Sequence, residues 1–124
     1  MIGYVTLGTN HFERAAQFYD NLLGVIGAKR YMESDQFIAW AVSPTQPSLG
    51  IIKPYDGNAA TVGNGVMVAL IVDSPAKVDA LYNKAIELGG KDEGPAGPRG
   101  GGGFYAGYFR DLDGNKLNVF CMGG

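Results

Sequence analysis

The sequence repeats itself after a shift of 63 positions, and this internal repeat constrains the fold more than any other feature. The stretch YVTLGTNHFERAAQFYDNLLGVIGAK, from Tyr4, aligns with MVALIVDSPAKVDALYNKAIELGGK, from Met67. Identical residues coincide in four pairs: Val5 and Val68, Leu7 and Leu70, Tyr19 and Tyr82, and Gly27 and Gly90. A chain with this self-similarity is expected to contain two units of the same plan.

A helix is predicted after the first strand of each copy. Asn10, followed three residues later by Glu13, is a capping signal for the first helix, and Ser74 followed by Pro75 is one for the second. Apolar residues then recur at helical spacing, which predicts one buried face per helix. Glycines supply the predicted stops: Gly24 for the first helix, and Gly89 and Gly90 for the second.

Shorter alternating runs predict three further strands in each copy: 28–32, 36–42 and 49–53, then 91–93, 104–110 and 116–122. The fold class is therefore α+β, with two tandem βαβββ modules. We expect a single domain over residues 1–124, with module 1 at about 1–55, module 2 at about 64–122 and a turn-rich linker at 54–65. The Pro/Gly-rich segment 94–103 is predicted to be a mobile loop.

Strand alternation predicts which residues face away from the helices. The matched apolar pairs are expected to meet the helices, which turns Tyr4 and Met67 to the other face, lining a cup of mixed sheet. The last strand follows a tight turn at 111–115, and its more apolar positions are expected on the helix side, so Asn118 faces the cup. Because a buried amide needs a hydrogen-bond partner, Asn118 is predicted to serve either the fold or a cavity.

Composition excludes several classes of partner. A net charge of −2 gives no basic excess for nucleic acid or an anionic membrane, so neither partner is expected. The longest apolar stretch, 65–72, is too short for a bilayer, and residues 1–10 lack signal-peptide features, so a cytoplasmic location is expected. Cys121 is the single cysteine, which rules out an internal disulfide and a cysteine zinc cluster.

Other polar and aromatic residues are weaker candidates. Three aromatic residues are predicted in strands, where they are suited either to stacking on a planar ligand or to packing in a core or interface: Trp40, Tyr105 and Tyr108. Arg110 is expected to pair with Asp111 or Asp113 more readily than to hold a ligand anion. His11 is the single histidine, and a solvated side chain is expected for it, so no nucleophile–histidine arrangement is predicted.

The paired βαβββ units, ATVGNG before the second copy and RDLDGNKLNVF at the end together resemble the glyoxalase/bleomycin-resistance/dioxygenase family, the vicinal oxygen chelate superfamily. The resemblance covers nearly the whole chain. Members commonly carry an Arg-Asp-Pro-Asp-Gly-Asn run at the closing turn, and here Leu112 replaces the proline. The resemblance implies the fold of that family, in which two βαβββ modules form a cupped mixed sheet.

In metal-dependent members of the family, a His near the start of each module's first strand and a Glu in the last strand hold a divalent ion. The positions that match them here are Tyr4, Met67 and Asn118. A fourth family ligand would lie near residues 49–52, which contain no His, Glu or Gln. A phenol, a thioether and a neutral amide are poor ligands for zinc or iron, so no metal is expected.

Because these positions depart from the family ligands, the leading hypothesis is a metal-free member of the family that binds a small, partly apolar molecule, and the resemblance together with open sheet edges implies a homodimer. There are six candidate ligand-binding residues: Tyr4, Met67, Asn118, Trp40, Tyr105 and Arg110. The alternative is a metal-dependent enzyme of the glyoxalase I lyase or extradiol-dioxygenase type, with zinc, nickel or iron. A third hypothesis is catalysis without metal, with Tyr4 as acid or base. The pKa of a free phenol is about 10, so acid–base catalysis near neutral pH would require surroundings that strongly shift that pKa.

Overall fold

The structure is a computed structural model that describes residues 1–123, and it contains the two βαβββ modules that the repeat predicts. The first compact unit, Met1–Val62, and the second, which begins at Gly63, are built from these elements: β1 (Tyr4–Gly8), α1 (Phe12–Gly24), β2 (Lys29–Glu33), β3 (Phe37–Ala41) and β4 (Ser48–Ile52), then β5 (Val68–Ile71), α2 (Pro75–Glu87), β6 (Lys91–Pro98), β7 (Tyr105–Arg110) and β8 (Lys116–Cys121).

Each module forms its own four-stranded mixed sheet. The strand orders are β1-β4-β3-β2 in the first unit and β5-β8-β7-β6 in the second. The first strand of each module runs parallel to the last one, and the other neighbours are antiparallel. The last strand of each module is therefore an inner strand, with a hydrogen-bonded neighbour on both sides.

Each helix packs on one face of its own sheet, which we call the helix-covered face. In the first unit the indole N–H of Trp40 in β3 donates to Asp20 of α1, at 2.9 Å. In the second unit Gly107 of β7 lies against Tyr82 of α2. The opposite side, the helix-free face, carries Tyr4 in β1 because Leu7 is buried and β-strand side chains alternate. The predicted separation of faces is confirmed.

The two helices begin differently, and one predicted cap is wrong. Ser74 is the N-cap of α2, and its hydroxyl accepts the N–H of Lys77 at 3.2 Å. The N-cap of α1 is His11, which is exposed and makes no capping bond through its side chain. Asn10 instead exchanges two hydrogen bonds, of 2.7 and 3.0 Å, with the backbone of Ala60, which fastens the end of the first unit to the start of α1. Within residues 1–123, neither helix is long and apolar enough to cross a membrane.

The sequence predicted a loop over the whole segment 94–103, and this prediction is wrong for its first half. β6 continues through its first half to Pro98, with register shifts between Asp92 and Gly94 and between Gly94 and Gly97. β6 is an edge strand, so only one side of it needs hydrogen-bond partners, and an edge tolerates the missing N–H of Pro95 and Pro98. Proline and glycine were therefore misleading signals of a loop at this edge.

Replacing Gly107 with alanine is expected to destabilise the second unit. An added Cβ would lie 3.0 Å from Cδ1 and 3.2 Å from Cβ of Tyr82. Tyr82 is buried, and its hydroxyl is fixed by a 2.7 Å hydrogen bond to Asp92, so the ring cannot retreat freely. We expect Gly107→Ala to lower the free energy of unfolding by about 1–3 kcal/mol, measured by urea titration.

Gly24→Ala is the matched control for this prediction. Gly24 is the exposed last residue of α1, and no other heavy atom lies within 4 Å of the Cβ that the change would add. Alanine at this position should raise the free energy of unfolding by about 0.5–1 kcal/mol, because it favours helix and restricts the unfolded chain. Equal stability of the two variants would contradict the packing assigned to Gly107.

Candidate functional site

The helix-free face of the second sheet carries the candidate site. Residues paired across neighbouring strands share a face, and the register places Ala69 of β5 and Tyr108 of β7 on either side of Asn118 in β8. Gly107 and Val119, the next pair, lie on the helix-covered face, so Asn118 and its two neighbours point away from α2. The same face carries an apolar row and two cations beside Asn118: Ile71, Phe120 and Ala106, then Lys116 and Arg110.

The closing turn between β7 and β8 sets the position of Asn118. A carboxylate oxygen of Asp111 accepts the backbone N–H of Asp113 and of Asn115, both at 2.9 Å. The side-chain amide of Asn115 donates to the other oxygen at 3.0 Å, and Gly114 adopts a φ of 92°. The tight turn predicted from the sequence is confirmed. It holds β7 and β8 in the register that places Tyr108 opposite Asn118.

Asn118 is buried, with 2% of its surface exposed, and its side-chain oxygen lacks a hydrogen-bond partner. Within residues 1–123 this Oδ1 is the single buried side-chain nitrogen or oxygen atom in that condition. Almost all buried polar atoms in proteins are paired, and an unpaired one costs about 1–3 kcal/mol. The last strand thus holds an acceptor that the fold itself does not use.

Two cations flank the ring of Tyr108 on this face. The guanidinium carbon of Arg99 lies 5.6 Å from the ring centroid, and the ammonium of Lys116 lies 5.8 Å from it. Neither cation has a carboxylate within 4.0 Å in the part of the chain that the structure describes. Lys116 is two residues from Asn118 in the same strand, so its side chain points to the same face.

Arg110 is occupied by an ion pair, and its predicted partners are wrong. Its Nε donates to a carboxylate oxygen of Glu93 at 2.6 Å, and its Nη1 donates to the carbonyl of Gly114 at 3.0 Å. The hydrogen bond from Arg110 lowers the pKa of Glu93. Arg110 pairs with Lys91 of the neighbouring strand β6, and Glu93 lies in the same strand. Asp111 and Asp113, the predicted partners, lie instead in the closing turn.

Trp40 and Tyr105 lie on helix-covered faces, away from the helix-free face. Trp40 is 2% exposed and donates to Asp20, and a hydrogen bond from Arg30 lowers the pKa of that aspartate. The hydroxyl of Tyr105 donates to Asp79 of α2 at 2.7 Å, a bond that raises the pKa of the tyrosine. These contacts join each aromatic residue to the helix of its own unit, so neither lies on the face that carries Asn118.

Tyr4 and Met67 are more exposed than core residues. Tyr4 is 63% exposed, and its ring packs edge-on against Phe37 with centroids 6.0 Å apart. Met67 is 40% exposed and lies immediately before β5, whose Ala69 pairs with Asn118. Met67 and Asn118 belong to the second unit, and Tyr4 belongs to the first. The convergence of the three side chains on one cavity stays a prediction.

The donor set does not fit the divalent metal that the family resemblance implies. In the described part of the chain, no three His, Cys, Asp or Glu side chains are grouped closely enough to hold a metal ion. Tyr4, Met67 and Asn118 offer a phenol, a thioether and an amide, whereas zinc and iron sites use imidazole, thiolate or carboxylate.

Sequence reasoning missed two features. One is the role of Arg99 beside Tyr108, which was hidden in a segment predicted to be a loop. The other is an open cavity of about 610 Å³ between α1 and the β2–β3 hairpin of the first unit. Lys53 contributes to its lining, with its ammonium 5.2 Å from the centre of the Phe12 ring. No local motif marks this cavity, because its lining comes from three separate segments: α1, the β2–β3 hairpin and Lys53.

Comparisons with known proteins agree with this architecture. A family model described as Glyoxalase/Bleomycin resistance protein/Dioxygenase superfamily matches residues 1–119. A crystal structure of a glyoxalase/bleomycin resistance protein from Albidiferax ferrireducens T118 is similar at 34% sequence identity, with a TM-score of 0.88 over 98% of both chains.

More distant solved structures share the fold. A hypothetical protein from S. aureus is 28% identical with a TM-score of 0.72, over 98% of this chain and 92% of the other. A lactoylglutathione lyase from Agrobacterium tumefaciens, 21% identical with a TM-score of 0.70 over 98% and 92%, resembles this chain in fold alone. The comparison with curated proteins gave no match. From the family model and the Albidiferax relative, the chain belongs to the Glyoxalase/Bleomycin resistance protein/Dioxygenase superfamily.

Proposed function

We propose that this chain is a metal-free member of the superfamily that binds a small, partly apolar molecule on the helix-free face of its second sheet. The observation that carries the proposal is the unpaired, buried Oδ1 of Asn118. A ligand hydroxyl or N–H would satisfy this acceptor, and the neighbouring Phe120 and Ile71 would contact the apolar part. Tyr4 and Met67 remain candidate ligand contacts of the same protein.

The alternative is a metal-dependent lyase of the glyoxalase I type or a dioxygenase-like enzyme with zinc, nickel or iron. Superfamily membership leaves this chemistry open, because one fold supports many reactions. The donor set argues against it, since the family positions carry no imidazole or carboxylate. Catalysis without metal by Tyr4 has less support than binding, because its side chain is 63% exposed and its ring contacts Phe37, which has no group that can give or take a proton.

Purified protein is expected to contain no stoichiometric transition metal. The physical reason is the phenol, thioether and amide at the three family positions, which bind zinc and iron weakly. Elemental analysis after dialysis should find well below one equivalent of zinc, iron, nickel or manganese per chain. One equivalent that survives dialysis would favour the metal-dependent alternative.

Asn118→Leu is expected to stabilise the protein while it weakens ligand binding by the loss of one hydrogen bond. Leucine has the same number of side-chain heavy atoms as asparagine, and the change removes an acceptor that has no partner in the free protein. Because a buried, unsatisfied polar atom is unfavourable, the free energy of unfolding should rise by about 1 kcal/mol in urea titration.

Asn115→Leu is the matched control, because this second buried asparagine is hydrogen-bonded. Its amide holds Asp111 at 3.0 Å, so the same substitution should lower the free energy of unfolding by about 1–3 kcal/mol. A decrease of similar size in both variants would mean that Asn118 serves the fold, and the proposed binding role would then lose its main support.

The protein is also expected to form a homodimer. β1 and β5 are edge strands of their own sheets, and exposed edges in β proteins are commonly paired or covered. Light scattering at micromolar concentration should give twice the chain mass of 13.1 kDa. A clean monomer would contradict this prediction without affecting the role of Asn118.

A further inference from the structure

The helix-free face of the second sheet carries two cations, Arg99 and Lys116, that form no ion pair within residues 1–123. The whole chain has a net charge of −2, so this face differs in sign from the molecule as a whole. Of the three cations near Asn118 on this face, Arg110 is paired with Glu93. Arg99 and Lys116 have no carboxylate partner in the described residues.

Arg99 is held in place by backbone groups. Its Nη1 donates to the carbonyls of Gly97 and Pro98, at 3.0 and 3.3 Å, and its Nη2 donates to the carbonyl of Pro95. These acceptors are neutral, so they orient the guanidinium without supplying a negative charge. Because the orientation exists before any ligand arrives, little conformational entropy is lost when an anion binds.

Glycine at position 94 gives Arg99 its place beside Tyr108. Gly94 pairs with Tyr108 in the β6–β7 ladder, and its φ of 151° is unfavourable for residues with a side chain. A Cβ there would lie 3.4 Å from both Nη2 of Arg99 and Cδ1 of Tyr108. The bulged strand therefore brings a fixed cation against the aromatic ring that lies opposite Asn118.

Lys116 and Asn118 supply complementary groups on one strand. The Cα atoms of residues two apart in a strand are separated by about 7 Å, a spacing comparable to the length of one small aromatic acid. The amide oxygen accepts a hydrogen bond and the ammonium attracts an anion. Phe120, two residues further along the strand, adds an apolar surface, and its ring lies 5.5 Å from that of Phe104.

We propose that the ligand of this face is a small aromatic carboxylate that also carries a hydroxyl: Lys116 and Arg99 bind the carboxylate, and Oδ1 of Asn118 accepts a hydrogen bond from the hydroxyl. This inference rests on the proposed function and specifies its ligand class. It follows from the presence, on a single sheet face, of an unpaired acceptor, an apolar row and two cations that form no ion pair in the described residues. No residue of the helix-covered face takes part.

Three probes separate the contributions of charge and hydrogen bonding. 3-Hydroxybenzoate has the anion, the donor and the ring, benzoate lacks the donor, and 3-hydroxybenzyl alcohol lacks the anion. Titration of the full chain, followed by amide chemical shifts in NMR spectra, should rank 3-hydroxybenzoate first. The largest shifts should fall at residues 108 and 116–120. Benzoate and the neutral alcohol should each bind about tenfold more weakly, the loss of one good polar interaction.

Variants assign each contribution to a residue. Lys116→Met should weaken both acids about tenfold and leave the alcohol unchanged, because only the acids carry the anion. Asn118→Leu should weaken 3-hydroxybenzoate to the level of benzoate and leave benzoate unchanged. Lys77→Met is the control for a lost positive charge, since Lys77 lies on α2 and pairs with Asp73, and it should bind like the parent.

The outcomes distinguish this inference from the proposed function. Equal binding of the alcohol and the acid, with no effect of Lys116→Met, would overturn the anionic ligand and leave a neutral ligand at Asn118. Failure of all three probes to bind at millimolar concentration would also overturn the ligand class. The proposed function itself falls only when Asn118→Leu destabilises the protein as Asn115→Leu does.

Discussion

The packing of one helix against one face of each four-stranded sheet is the constraint on which the other features depend. Once α2 covers one side of its sheet, the alternation of side chains along β7 and β8 decides the role of every residue in them. Gly107 and Val119 must fit beneath the helix, so Tyr108 and Asn118 are directed to the other side. A polar site can then occupy the second face without disturbing the helix–sheet core.

The fold was largely predictable because it depends on patterns that are local in sequence. The 63-residue repeat, the two helical stripes and the Asp111–Asn115 turn each specify their element from nearby residues. The prediction for residues 94–103 was wrong because proline and glycine signal a loop unless the strand is an edge, and strand order is a property of the whole sheet. The cap assigned to Asn10 was wrong because Ala60, fifty residues away, competes for the same amide.

The candidate site was only partly predictable, for a related reason. Alternation placed Asn118 and Tyr4 on helix-free faces, but it assigned no partners to them. Trp40 and Tyr105 were equally consistent with a ligand or a core, and their bonds to aspartates on the helices are contacts between distant segments. Arg99 reaches Tyr108 through a bulge whose register no sequence pattern specifies.

The two modules share a plan, and they differ at one position that bears on the proposed site. The repeat aligns Thr6 with Ala69, and these residues pair with Gly50 and Asn118, so Gly50 is the counterpart of Asn118. At Gly50 a Cβ would approach Cε1 of Phe37 to 2.6 Å, so this position is closed by an aromatic ring. The equivalent position of the second sheet instead holds a buried amide with an unpaired oxygen. Packing of the first face favours stability, whereas retention of an unsatisfied acceptor on the second is unfavourable unless a bound molecule uses it.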